Sequence, residues 1–197
     1  MGTSDNYKNK GNNMSEFTWS YSSLKQYQNC PRQYHEIRVL KNYTVKENQA
    51  MIYGKEVHTA LEEYVRDGKP LVKNYQRFKP VVDSLINIEG EKLCEYEMAL
   101  THNKEPCDFH DENRWVRGIA DLVIVDGTQA YVVDYKTGSN KYPDPKQLKL
   151  MSIMLFTHMP EVVKIKAGLL FVMKNSFLTE EYHRNDMDKL WKSFERP

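Results

Sequence analysis

Hydrophobic positions recur every three or four residues in two stretches of the first half of the chain. Val57, Leu61, Tyr64 and Val65 mark one apolar stripe, and Phe78, Val81, Val82 and Leu85 another, so helices are predicted over residues 50–66 and 73–88. Asp67-Gly68-Lys69-Pro70 punctuates the end of the first and Gly90 the end of the second. Ahead of them, Ser22 suits the N-cap of a short helix carrying Leu24 and Tyr27, and Pro31 suits either its end or the first turn of another. From residue 92 the period changes to two, and residues 92–100, 115–125 and 130–138 read as strands. In the first of these, alternation puts Glu95 and Glu97 on one face and Cys94, Tyr96 and Met98 on the other. Residues 145–159 then read as a helix, 163–174 as a fourth strand with Ile165, Leu169, Phe171 and Val172, and 186–194 as a closing helix. The first fifteen residues are polar and poor in core formers, which predicts a disordered tail over 1–15 and a single domain over 16–197. The element order implies an α/β fold: a central mixed four-stranded sheet flanked by helices, after an N-terminal helical region.

Between the second and third strands, Asp126-Gly127 is a hairpin signal. If the loop is those two residues, Asp121 lies diagonal to Asp134; if it is 126–129, the two are directly opposite. Both loops are even-numbered, so both aspartates share a face, and Lys136 joins them two residues after Asp134. Two neighbouring carboxylates repel, and burying them costs several kcal/mol unless a cation or a proton neutralises them. A divalent metal does this, and hard oxygen ligands select Mg²⁺ or Mn²⁺, which activate water and neutralise charge on a phosphodiester. Lys136 would stabilise the developing phosphorane or orient the attacking water.

Composition narrows the possibilities further. The chain has 197 residues and a net charge of +1, which lacks the global basicity of many nucleic-acid binders, so contact with DNA would rely on local patches. Three cysteines, Cys30, Cys94 and Cys107, show no zinc-type spacing and fit a reducing cytosol. No apolar run approaches the ~18 residues of a membrane span and no signal-peptide pattern opens the chain, so a cytoplasmic protein with no membrane partner is expected.

Gly118-Ile119-Ala120-Asp121 followed by Val133-Asp134-Tyr135-Lys136-Thr137-Gly138 resembles the core of the PD-(D/E)XK nuclease superfamily, a restriction-endonuclease-like fold, and within it the RecB-like exonuclease branch. Ser20-Tyr21-Ser22-Ser23-Leu24 with Tyr27, Cys30-Pro31-Arg32 and Tyr34 is similar to that branch's opening motif, Gly54-Lys55-Glu56-Val57-His58 to its helical histidine, and Gln147-Leu148 to its glutamine motif. Where that last motif usually has a tyrosine four residues after the glutamine, this chain has Met151. The resemblance implies a metal held by His58, Asp121, Asp134 and the Tyr135 carbonyl, with Lys136 supporting the nucleophile and a glutamate of the first strand taking part, Glu97 favoured over Glu95. Some members of the branch hold an iron–sulfur cluster on one cysteine of the opening motif and three near the C-terminus. Nothing after Cys107 supplies those three, so no cluster is expected and Cys30 reads as a small packed residue.

Arg32, Gln147, Lys141 and Lys149 are candidate contacts to nucleic acid, with Lys146 beside them; a solvated helix face is the plain alternative for the lysines. The expected function is metal-dependent hydrolysis of DNA, with an exonuclease acting on single strands or DNA ends, in repair, recombination or phage-type DNA turnover, as the first choice. An endonuclease cutting duplex or branched DNA uses the same core. A catalytically inactive nucleic-acid-binding module is the alternative of another class. The oligomeric state is left open.

Overall fold

A computed structural model describes residues 17–138 and 143–194. The tail expected over residues 1–15 and the candidate Lys141 lie outside the described residues. The first helix, α1 (Tyr21–Asn29), starts two residues earlier than Ser22 would set it: Ser20 is its N-cap, and Ser20 and Ser23 exchange side-chain and backbone hydrogen bonds in a capping box. Next comes α2 (Pro31–Tyr34), which opens on Pro31 and runs into a π-helical turn over His35–Val39. Its cap is the Cys30 Sγ, which accepts the Gln33 N–H at 3.4 Å. Cys30 is therefore exposed, and its expected place in packing is corrected: the thiol stands in for the usual capping hydroxyl at a helix start.

Asn48 caps α3 (Gln49–Asp67), and Gly68 closes it in the left-handed conformation at φ 68°. The helix expected over 73–88 is split into a 3₁₀ segment, Lys73–Phe78, and α4 (Lys79–Ile86). Pro80 explains the break, because it lacks the N–H that would continue the ladder and suits the first turn of a new helix.

The strands are β1 (Glu91–Thr101), β2 (Pro106–Cys107), β3 (Arg114–Asp126), β4 (Gln129–Lys136), β5 (Lys164–Phe171) and β6 (Ser176–His183). They form one sheet in the order β2-β1-β3-β4-β5-β6. Every neighbouring pair is antiparallel except β4 and β5, which run parallel and are joined through α5 (Lys146–His158). A short α6 (Met187–Trp191) follows. The sheet thus has six strands where four were expected. Two-residue β2 is too short to show a period, and β6 is an edge strand that fully buries Tyr182 alone, so its polar composition hid it.

Two cores lie on the two faces of the sheet. One gathers Leu148, Leu150, Ile153 and Met154 of α5 with Ala120, Val123, Val132, Ala167 and Leu169; the other gathers Val57 and Leu61 of α3 with Leu122, Ile124, Val133, Tyr135 and Leu170. The run Leu150–Phe156 is buried all round because α5 is covered by the sheet on one side and α6 on another. No helix among the described residues is long and apolar enough to cross a membrane.

Candidate active site at a fork in the sheet

Register brings the two aspartates together, and a break in alternation then separates their side chains. Asp126 pairs with Gln129 and Leu122 with Val133, so Asp121 and Asp134 are opposed, the second of the two arrangements expected from the hairpin. The ladder stops at Leu122 and Val133, however, and beyond it the Asp121 Oδ2 accepts the Tyr135 backbone N–H. A side chain has taken the place of a backbone carbonyl, and a fork opens between β3 and β4 at that point.

The period of two also slips on β3 and β1 here. Ala120 and Val123 both belong to the α5-side core, while Leu122 and Ile124 belong to the α3-side core. On β1, Cys94 packs on the α3 side and Tyr96 and Met98 on the α5 side. Between them Glu95 has φ 48°, a left-handed backbone that costs a non-glycine residue about 1–2 kcal/mol. The partners of its neighbours Cys94 and Tyr96 are Leu122 and Ala120, which flank Asp121. Both irregular residues therefore sit side by side.

On the α3 side, His58, Glu95 and Asp121 offer one ligand atom each, all within 4.8 Å of one another. The His58 Nδ1 lies 3.4 Å from the Asp121 Oδ1, and its ring also hydrogen-bonds to the Tyr135 backbone. Burial alone would push the His58 pKa down; the Asp121 hydrogen bond, the charges of Asp121 and Asp134 and the Tyr135 bond outweigh it and raise the pKa. Glu95 is pushed up to about 7, chiefly by burial and then by the charges of Asp121 and Glu62.

On the α5 side, Asp134 and Lys136 form an ion pair at 2.5 Å. The Asp134 Oδ2 is buried, and this lysine is its partner. Gln147, in the first turn of α5, donates its amide to the Asp134 Oδ1 and accepts Lys136 Nζ at 2.9 Å. Burial and then the charge of Asp121 raise the Asp134 pKa against the pull of Lys136, so the two carboxylates sense each other across the fork. Upstream of Gln147, Asp144 accepts the Lys146 N–H at 3.1 Å and the Tyr21 hydroxyl, tying α1 to the start of α5.

A family model described as the PD-(D/E)XK nuclease superfamily matches residues 18–192. The chain belongs to this superfamily. Among solved structures, a "Putative exonuclease" from Eubacterium rectale matches at a TM-score of 0.52 with 13% identity, covering 99% of this chain and 83% of that one. The protein SSO0001 matches at a TM-score of 0.43 with 14% identity, covering 90% of this chain and 75% of that one. A search of curated proteins finds no match.

Members of the PD-(D/E)XK superfamily use divalent metals, and this donor set fits such an ion. It holds carboxylate oxygens and an imidazole nitrogen and no sulfur. Several expectations differ from the arrangement found. Asp121, Asp134 and Lys136 do not converge on one face: Asp121 joins the α3 side and the other two the α5 side. Glu97, favoured from the sequence, is exposed, and Glu95 stands beside His58 and Asp121 in its place. Of the candidate nucleic-acid contacts, Gln147 lies at the fork, Lys149 bonds the Ser193 hydroxyl at 2.9 Å, and Arg32 lies exposed on α2. Tyr21 and Asp144 were not singled out as a pair, since 123 positions separate them and no local pattern links them.

Proposed function

We propose that the chain is a metal-dependent deoxyribonuclease, acting as an exonuclease on single-stranded DNA or DNA ends. The reading rests on one observation above the others: His58, Glu95 and Asp121 gather within 4.8 Å at the fork. It is supported by superfamily membership and by the name of the structural neighbour. His58, Glu95 and Asp121 would hold Mg²⁺ or Mn²⁺, with Asp134 across the fork and the Tyr135 carbonyl the further ligands that the family resemblance implies. When bound, the ion supplies Lewis acidity to a water and to the scissile phosphate.

The chain's own groups do the rest. Asp121, fixed by the Tyr135 amide, keeps its second oxygen toward His58. Lys136 places a cation beside the reacting phosphate, where developing negative charge needs it. Gln147 bonds both Lys136 and Asp134, so it holds the lysine at a set distance from the carboxylate. His58 must be neutral to ligate, so its raised pKa disfavours metal binding as pH falls.

A time course on end-labelled single- and double-stranded DNA with Mg²⁺, Mn²⁺ or chelator tests the proposal. Mononucleotides or short products released progressively from an end, and abolished by chelator, are expected. Cutting of a covalently closed single-stranded circle would replace the exonuclease reading with an endonuclease one, and binding without cleavage in either metal would leave only an inactive binding module.

A further inference from the structure

The α5 side of the fork opens into a cleft of about 710 Å³, within the ~300–1,000 Å³ usual for ligand sites. Its lining is of two kinds. Lys25, Arg117 and Lys136 bring positive charge, whereas Ile119, Met151 and Leu169 make an apolar wall. Two of the three cations are committed, Lys25 to Asp144 at 3.6 Å and Lys136 to Asp134. Arg117 has no carboxylate partner among the described residues. Its guanidinium sits over the Phe109 ring, 4.9 Å from the centroid, at the spacing of a cation–π contact. Phe109 belongs to the connection between β2 and β3, so this segment reaches back to hold one side chain of β3 in the cleft.

A planar guanidinium with its donors unused is a fitting partner for a phosphate. The apolar wall distinguishes which nucleic acid that phosphate belongs to. A duplex turns its bases inward and offers a protein surface mainly phosphates, while an unpaired strand presents base faces that gain from apolar contact. Ile119 is 37% exposed in this wall, in a β-strand whose neighbouring positions are buried, and so leaves apolar surface open beside the guanidinium.

We propose that Arg117 is a phosphate-binding residue of this cleft, positioned by Phe109, and that the cleft's apolar wall takes the adjoining base, so that the site selects single-stranded DNA over duplex. The proposal rests on the nuclease reading of the fork and adds to it the residues that choose the substrate. Phe109 acts through Arg117, so the two substitutions are not independent.

The test is fluorescence anisotropy of a labelled single-stranded oligonucleotide and its duplex on the full chain, in chelator so that binding is read without cleavage. Arg117→Ala should weaken single-strand binding about tenfold and reduce the salt slope by about 0.7, one phosphate contact on a single strand. Phe109→Ala should weaken it severalfold, and the double variant should be no weaker than Arg117→Ala alone. Duplex affinity should change less than twofold in all three. Phe109→Leu and Arg117→Gln, which preserve bulk, give the same comparison should either alanine variant melt early. Equal losses on single strand and duplex, an unchanged salt slope, additive effects or native-like binding by the variants would each overturn the proposal. Cleavage with Mg²⁺ is scored separately: a cleaving native chain with unaffected variants sinks only the clamp, and a non-cleaving chain whose variants lose single-strand binding sinks only the nuclease reading.

Discussion

Asp121 holds the Tyr135 backbone amide with one carboxylate oxygen and faces His58 Nδ1 at 3.4 Å with the other. One residue thus ends the β3–β4 ladder and contributes to the candidate metal cluster, and substitutions can separate the two tasks. Asp121→Asn keeps an oxygen for the amide and should fold normally while losing metal-dependent cleavage. Asp121→Ala leaves a buried N–H unpaired and should also lose about 1–3 kcal/mol of stability. Denaturant unfolding alongside a cleavage assay separates them; an active Asp121→Asn chain would remove Asp121 from the metal site.

Glu95 and Glu97 make a second comparison. Glu95→Gln should weaken metal binding at least tenfold, and Glu97→Gln, at an exposed position, should leave it within twofold. Titration calorimetry with Mn²⁺ measures both. The reverse ranking would restore the glutamate that strict alternation favours.

Stability of the metal-free chain should depend on pH through the same groups. Glu95 has a folded pKa raised from 4.5 to about 7, so its contribution is full below about 4.5 and is lost as pH rises through about 7. His58 is also raised, from 6.5, and adds a loss of the same sign at higher pH. The Tm of the native chain relative to Glu95→Gln should therefore fall between pH 4.5 and 8 in chelator. Metal needs the deprotonated ligands, so Mg²⁺ should raise the Tm more at pH 8 than at pH 5. A gap between the two chains that stays constant with pH would contradict the raised Glu95 pKa.

Gln147 bridges Lys136 and Asp134 without being a metal-ligand type of group. Gln147→Ala should lower cleavage about 10–100-fold while the chain stays folded. Gln147→Glu should be at least as harmful, because it replaces the amide donor with a carboxylate facing Asp134. Single-turnover rates on a labelled oligonucleotide give the comparison, and a fully active Gln147→Ala would show that the bridge is incidental.

The hairpin carrying both aspartates was legible in advance because Asp126-Gly127 marks a turn and alternation on either side leaves only even-numbered loops. Burial of Val132 and Val133 on opposite cores follows the period that the sequence shows. The slip at Asp121 and the left-handed backbone at Glu95 left no such mark. A glutamate rarely adopts positive φ, so nothing in its identity announces the conformation, and the period-two reading carried through to Glu97. The cap of α1 and the edge strand β6 were missed for a related reason: several serines compete for one cap, and a solvent-facing strand shows little apolar signal.

Glycine at position 95 would relax the backbone there and remove a carboxylate from the fork in the same step. A search for heat-resistant variants should therefore be drawn to a substitution that a search for fast turnover discards. At this one residue, robustness and reactivity pull apart, and the chain retains the choice that makes it less sturdy.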